Sequence, residues 1–185
     1  EQFKPGGNIL KVKEFGNGNI NDTYIVTLDS TEENKFVLQR INTHVFKQPK
    51  LIMQNMRTFT EHVRHRVRTE GHAWEAPRVI SAKDGQDFFI DEDNNFWRAI
   101  SFVDNAQSHD IINDLNHARE VGHALGTFQN LISDLPIESL ADTLEGFHIT
   151  PRYLQNYYWV LMKNGTHTSP EVKHGMKFIE DRREF

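Results

Sequence analysis

Three successive stretches of the chain alternate apolar and polar residues with a period of two. They are "ILKVKEF" (9–15), "TYIVTLDS" (23–30) and "KFVLQRI" (35–41), and alternation of this kind marks strands buried on one face. Their connections are too short for the crossover that parallel pairing needs, so the three runs predict an antiparallel meander. The second connection, "STEEN", is an ordinary polar turn. The first is not. Gly16-Asn17-Gly18-Asn19-Ile20-Asn21-Asp22-Thr23 is longer and richer in glycine than a hairpin needs, because one Asn-Gly pair reverses a chain. Two readings stay open: a loose hairpin tip, or a loop held apart so that backbone N–H groups face phosphate oxygens.

After Pro49 the pattern changes. "PKLIMQNMRTFTEHVRHRV" sets Leu51, Ile52, Met56, Phe59 and Val63 at helical spacing, with Pro49 suited to a first turn. Strand character returns in "APRVISAKDGQDFFIDEDNNFWRAISFV", two or three strands separated by the turn-rich "KDGQ" and "DEDNN". From residue 110 the chain reads as helix. "INDLNHAREVGHALGTFQNLISDL" carries Ala118, Val121, Leu125, Phe128 and Ile132 along one stripe. Gly122 and Gly126 beside that stripe predict close packing on a neighbour. "TPRYLQNYYWVLMKNG" (150–165) is a second helix, and "SPEVKHGMKFIEDRREF" begins a third. This order predicts an α+β fold in two lobes. Residues 1–103 hold an antiparallel sheet of about five strands plus one long helix, residues 104–185 are helical, and a hinge lies near 102–108.

Composition removes several function classes. An apolar fraction of 37%, with 13 Phe and 3 Trp, suffices for a core. A formal net charge of −5 lacks the basic footprint of a nucleic-acid binder. No apolar run approaches the roughly 18 residues of a membrane span, and no signal-peptide core opens the chain. The absence of cysteine excludes disulfides, thiolate metal sites and a cysteine nucleophile, and the cytoplasm is the expected compartment. There is no GxxxxGK[ST], GxSxG or HExxH, and His62 and His65 read as an exposed helical pair, so no metal site is expected.

The stretch 16–21 matches G-x-G-x-x with Asn21 at the third glycine position. A dinucleotide loop joins strand to helix, whereas this one joins strand to strand. A glycine loop between two strands, then a third strand and a long helix, is the order of a protein-kinase-type amino lobe. In such a lobe the loop covers the ATP phosphates, the third strand supplies a cation, and the helix supplies a carboxylate that orients it. Period-two alternation lets only one of Gln39 and Arg40 point inward. Alignment with V-A-I-K favours Gln39, while phosphate chemistry favours Arg40.

The segments "GNGNINDTY", "FVLQRINTHVFKQP", "FWRAISFVDN", "VGHALGTFQNLISDLP" and "EGFHITPRY" resemble the aminoglycoside-phosphotransferase-like small-molecule kinases, most nearly the N-acetylhexosamine 1-kinase branch. The resemblance runs from about residue 10 to the end. It implies an ATP- and Mg2+-dependent transfer to the hydroxyl of an N-acetylhexosamine or similar small alcohol, within a kinase-like amino lobe followed by the first helices of a carboxy lobe. It places Gly16, Gly18 and Asn19 over the phosphates, with Asn21 and Thr23 opening the second strand. Gln39 or Arg40 then meets the phosphates, and Glu61 is the orienting carboxylate, against its plainer reading as a solvated helix charge. Phe102, Val103 and Asp104 fall at the adenine hinge, and His148 and Arg152 near the sugar cleft. Asp22 reads as a turn residue.

The family also needs H-x-D-x-x-x-x-N and a following Asp for magnesium, and neither occurs in these 185 residues. The expectation is an amino-terminal portion that lacks catalytic residues and metal ligands and is inactive alone. Its uncovered helix faces would pair two copies in a homodimer. A non-catalytic kinase-like binding module is the rival reading. A glycan sulfatase would need a [C/S]-x-P-x-R signature that is absent.

Overall fold

The computed structural model describes residues 2–16, 18–30, 34–71, 73–107, 109–165 and 169–183. The chain divides into two compact units, Glu1–Leu144 and Glu145–Phe185. The division by compactness therefore falls beyond the 103/104 boundary expected from the change of periodicity.

In the first unit, β1 (Ile9–Glu14), β2 (Asp22–Leu28) and β3 (Lys35–Ile41) form the expected antiparallel meander. β6 (Phe96–Ser101) pairs antiparallel with the far side of β3. The short β4 (Val79–Ile80) and β5 (Phe89–Ile90) both pair with β6, which makes a six-stranded sheet of order β1-β2-β3-β6-β4 with β5 also on β6. The turns expected at "KDGQ" and "DEDNN" fold residues 79–101 into three strands, the upper end of the two or three expected there. Gly85, at φ +86°, closes the first turn, where its N–H donates to Ala82 O (3.0 Å) and Ala82 N–H donates to Gln86 O (2.7 Å). Asp91 organises the second. Its carboxylate accepts from Asn95 N–H (2.8 Å), Asp93 N–H (3.1 Å) and Trp97 Nε1–H (2.8 Å), and Asn94 between them takes φ +61°.

Each face of the sheet buries its own apolar set. On one, Val26, Leu28, Phe36 and Ala99 pack with Phe3, Ile80 and Ala82. On the other, Ile41, Phe96 and Val79 pack with Met53 of α1 (Pro49–Glu70). Pro49 opens α1 in the first turn, where no intrahelical N–H is lost. Gly71 ends it at φ +73° with its N–H on Val67 O, the usual left-handed stop. Arg57 fixes α1 to the loop between β4 and β5 by gripping both oxygens of Asp87, and it also holds Glu61 at 2.7 Å.

The flank of α1 away from the sheet receives α2 (Leu115–Leu131). Phe59 packs on Phe128 at 5.7 Å, and Asp134 accepts from both Arg66 (3.0 Å) and His62 (3.0 Å). The Asp114 carboxylate caps α2 by accepting from His117 N–H (2.8 Å). Among the described residues the helix is buried at its carboxy end, where Leu131 is fully enclosed. Val121 and Leu125 are about half exposed, and a Cβ at Gly122 or Gly126 would meet nothing within 4 Å. The close packing expected at those glycines is thus not formed among the described residues. Here the apolar stripe continues past the surface that α1 offers.

The second unit is a pair of helices, α3 (Thr150–Asn164) and α4 (Pro170–Glu180), joined where Tyr158 donates to Glu180 (2.8 Å). Among the described residues no helix is long and apolar enough to cross a membrane.

Two substitutions test these anchors. Asp87→Asn leaves Arg57 without its strongest acceptor, and because that guanidinium is about one-third exposed the expected loss is about 1–2 kcal/mol of unfolding free energy in urea. Asp91 tests the second turn through pH. Hydrogen bonds from Trp97 and then Asn95 hold its carboxyl below the ordinary value of 3.8. A depressed folded-state pKa stabilises the fold above the unfolded value and loses that contribution as pH falls through the folded one. Asp91→Asn should therefore be less stable than the parent at pH 6, with the gap narrowing below about pH 4 as the parent's own carboxylate protonates.

Candidate functional site

The β1–β2 connection is closed at its base by Phe15 N–H donating to Thr23 O (2.9 Å). Above that bond the loop lines a hollow of about 200 Å3, to which Gly16, Gly18, Asn21 and Thr23 contribute. Gly16 sits at φ +82°, where an L-residue is strained. Gly18 lies outside the left-handed region, and a Cβ there would meet only Asn21 O at an ordinary 3.9 Å. Backbone geometry therefore requires glycine at 16 and not at 18. The Asn21 side chain accepts from Asn42 N–H (3.0 Å) and ties the loop to the segment after β3. Asn19 lines a second hollow of about 470 Å3 with Arg40, Asn42, His44 and Asn95.

The register decides between Gln39 and Arg40. Across β2, β3 and β6, Thr23, Gln39 and Arg98 stand opposite one another, and so do Asp22, Arg40 and Trp97 in the adjacent row. Adjacent rows point to opposite faces. The Gln39 row lies on the face that carries Ile41, Phe96 and α1, and the Arg40 row lies on the face of Phe36 and Ala99. Arg40, favoured on chemistry alone, is thus turned away from α1. It is held by Asp22 (Nε–Oδ2 2.6 Å) with Trp97 beside it (6.0 Å), and the Asp22 carboxylate pushes its guanidinium pKa up.

On the α1 face a polar string runs across the three strands. Gln39 Nε2 donates to Thr23 Oγ1 (2.9 Å), and Gln39 Oε1 accepts from Arg98 Nε (2.9 Å) and Nη2 (2.7 Å). Arg98 Nη1 points to Met56 Sδ on α1 (3.4 Å). Burial pushes the Arg98 guanidinium below its ordinary pKa, yet an arginine stays charged at any ordinary pH. Glu61 is not brought to this string. Its carboxylate belongs to Arg57, and it is Met56 that reaches the row from α1. Next along the strands, Ile25, Val37 and Ile100 line up as a half-buried apolar row on the same face. Phe15 and Phe102 stack edge to face at 6.1 Å, with Lys35 Nζ 5.6 Å from the Phe102 ring. Val103 is half-buried and Asp104 is an exposed turn residue, followed by Asn105 at φ +56°.

The remaining two sequence candidates belong to the second unit. His148 takes φ +59° and its N–H donates to the Tyr153 hydroxyl (2.8 Å). Arg152 lies against Gly146, 3.8 Å from Glu145. Among the described residues no three His, Asp or Glu side chains converge to hold a metal ion.

Arg98 is the charged member of this polar string, and the sequence reading did not name it. Its signal was present, because in "FWRAIS" it occupies the period-two position between Phe96 and Ile100, a charge where the alternation calls for an apolar residue. No protein-family model matches the chain.

The two glycines provide a direct check on the loop. Gly16→Ala should cost about 1 kcal/mol of stability, since it forces an L-residue to positive φ. Gly18→Ala should stay within about 0.5 kcal/mol of the parent, as befits a surface change without strain. Urea midpoints measured side by side decide it.

Proposed function

We propose that this chain is the nucleotide-binding portion of an ATP-dependent small-molecule kinase that acts on the hydroxyl of an N-acetylhexosamine or similar small alcohol. One observation carries the reading. A glycine loop opens beside a sheet face that offers both an apolar row and a polar row ending in a cation. Ile25, Val37 and Ile100 form an apolar row suited to a purine ring, and Phe15 and Phe102 add an edge-to-face aromatic pair. Thr23, Gln39 and Arg98, one row nearer the loop, suit phosphate oxygens. Gly18, which the backbone does not require to be glycine, supports the reading further, because a bare backbone there lets a phosphate approach the loop N–H groups. The order of glycine loop, third strand and long helix agrees with a kinase-type amino lobe. The amino-sugar acceptor rests on the resemblance of the quoted segments alone, as do a Mg2+ requirement and pairing of two copies.

The chain has no H-x-D-x-x-x-x-N, so no residue in it would accept the proton of an attacking hydroxyl. The expectation is binding without turnover. Isothermal titration with ATP should give a dissociation constant in the range of about 10 μM to 1 mM, and incubation with ATP and N-acetylhexosamine should give no sugar phosphate above background. Gly18→Val should weaken ATP about tenfold, the equivalent of about 1.4 kcal/mol. Absence of ATP binding by the folded chain would overturn the reading, and so would turnover by the chain alone.

A further inference from the structure

The cations of the first unit are not treated alike. Arg40 is paired with Asp22, Arg57 with Asp87 and Glu61, and Arg66 with Glu70 and Asp134. Arg98 is half-buried on β6, a strand paired on both sides, and among the described residues it has no carboxylate partner. Its contacts are one neutral amide oxygen and one thioether sulfur, a weak acceptor. Hydrogen bonds to neutral groups orient a guanidinium and do not cancel its charge. Taking an ion from water into such a position is unfavourable unless a counter-charge joins it.

The geometry also leaves donors unused. A guanidinium carries five N–H groups in a planar fork. Nε and Nη2 converge on the same Gln39 oxygen, and Nη1 directs one hydrogen at Met56. One hydrogen on each terminal nitrogen remains, and a guanidinium with an N–H to spare on both terminal nitrogens can meet two oxygens of a phosphate. Gln39, held in turn by Thr23 at the base of the glycine loop, fixes the fork's rotation.

We propose that Arg98 is the phosphate-gripping cation of this site, oriented by Gln39 as a positioning residue, so that β6 rather than β3 supplies the charge. This rests on the nucleotide reading above, whose phosphates are the anion. A polyphosphate without a nucleoside has the same chemistry, and the experiment separates the two.

The 185-residue chain is titrated with ATP, adenosine and inorganic tripolyphosphate, as the parent and as Arg98→Met, Gln39→Glu and Lys50→Met. Arg98→Met should weaken ATP and tripolyphosphate about tenfold or more, the loss of one charge-assisted pair, with adenosine unchanged. Its melting temperature without ligand should be equal to the parent's or higher, because an apolar group replaces an uncompensated charge. Gln39→Glu puts a carboxylate on the fork. It should raise the melting temperature yet weaken both phosphate ligands to a similar degree, a combination that a merely structural role would not produce. Lys50→Met, removing the same charge at the start of α1, should leave all three ligands within about twofold. Should Arg98→Met fail to fold, Gln39→Glu decides alone. ATP binding that neither Arg98→Met nor Gln39→Glu alters overturns the assignment and leaves the nucleotide reading standing. Arg98-dependent tripolyphosphate binding without any adenosine binding supports the anion site and overturns the nucleotide reading. A parent chain that binds none of the three overturns both.

Discussion

The lateral register of β2, β3 and β6 determines the rest of the first unit. Val26, Phe36 and Ser101 share one row, Ile25, Val37 and Ile100 the next, and Thr23, Gln39 and Arg98 a third. Because strand side chains alternate with a period of two, a slip of one residue in β3 would exchange the two faces of that strand. Phe36 and Ile41 hold it in place from opposite sides of the sheet, each in its own buried cluster. The same constraint that packs the core therefore decides which polar residues share the face that α1 covers.

Around that register the molecule distributes its charges unevenly. Arg57 and Arg66 attach the two flanks of α1 to its neighbours through carboxylates. Such pairs keep a partly buried cation compensated at every moment of the folded protein's life. Arg98 departs from that pattern on β6, held by a neutral amide. Local violations of packing and polarity rules that are tolerated inside a well-formed fold mark places shaped for something other than stability. Gly18 is a second, milder case, a glycine in a conformation open to other residues.

Much of the architecture was legible in one dimension. The three strand runs, the long helix opened by Pro49, and the helices beginning at Thr150 and Pro170 fall within a few residues of where periodicity put them. Local rules govern these elements: alternation for strands, the 3.6-residue repeat for helices, and proline for helix starts. The bounds of β4 and β5 were less legible because they are two residues each, too short for any periodicity. They exist because β6 offers an edge for pairing. Close packing at Gly122 and Gly126 was misjudged for a related reason. An amphipathic stripe shows that a helix has an apolar side and says nothing of how far along it a neighbour extends.

For the candidate site, the sequence alone determined that a glycine- and asparagine-rich reversal joins β1 to β2, because tolerance of turn and left-handed backbone belongs to each residue by itself. The sequence also narrowed the inward-facing residue of β3 to two neighbours. Tertiary structure decided between them and brought in a third residue from β6, fifty-nine positions away from Gln39 in the chain. Strand pairing joins residues that no local pattern relates, so Gln39 and Arg98 become neighbours only when β3 and β6 align. Arg40, one peptide bond from Gln39, is sent by the same alignment to the opposite side of the sheet.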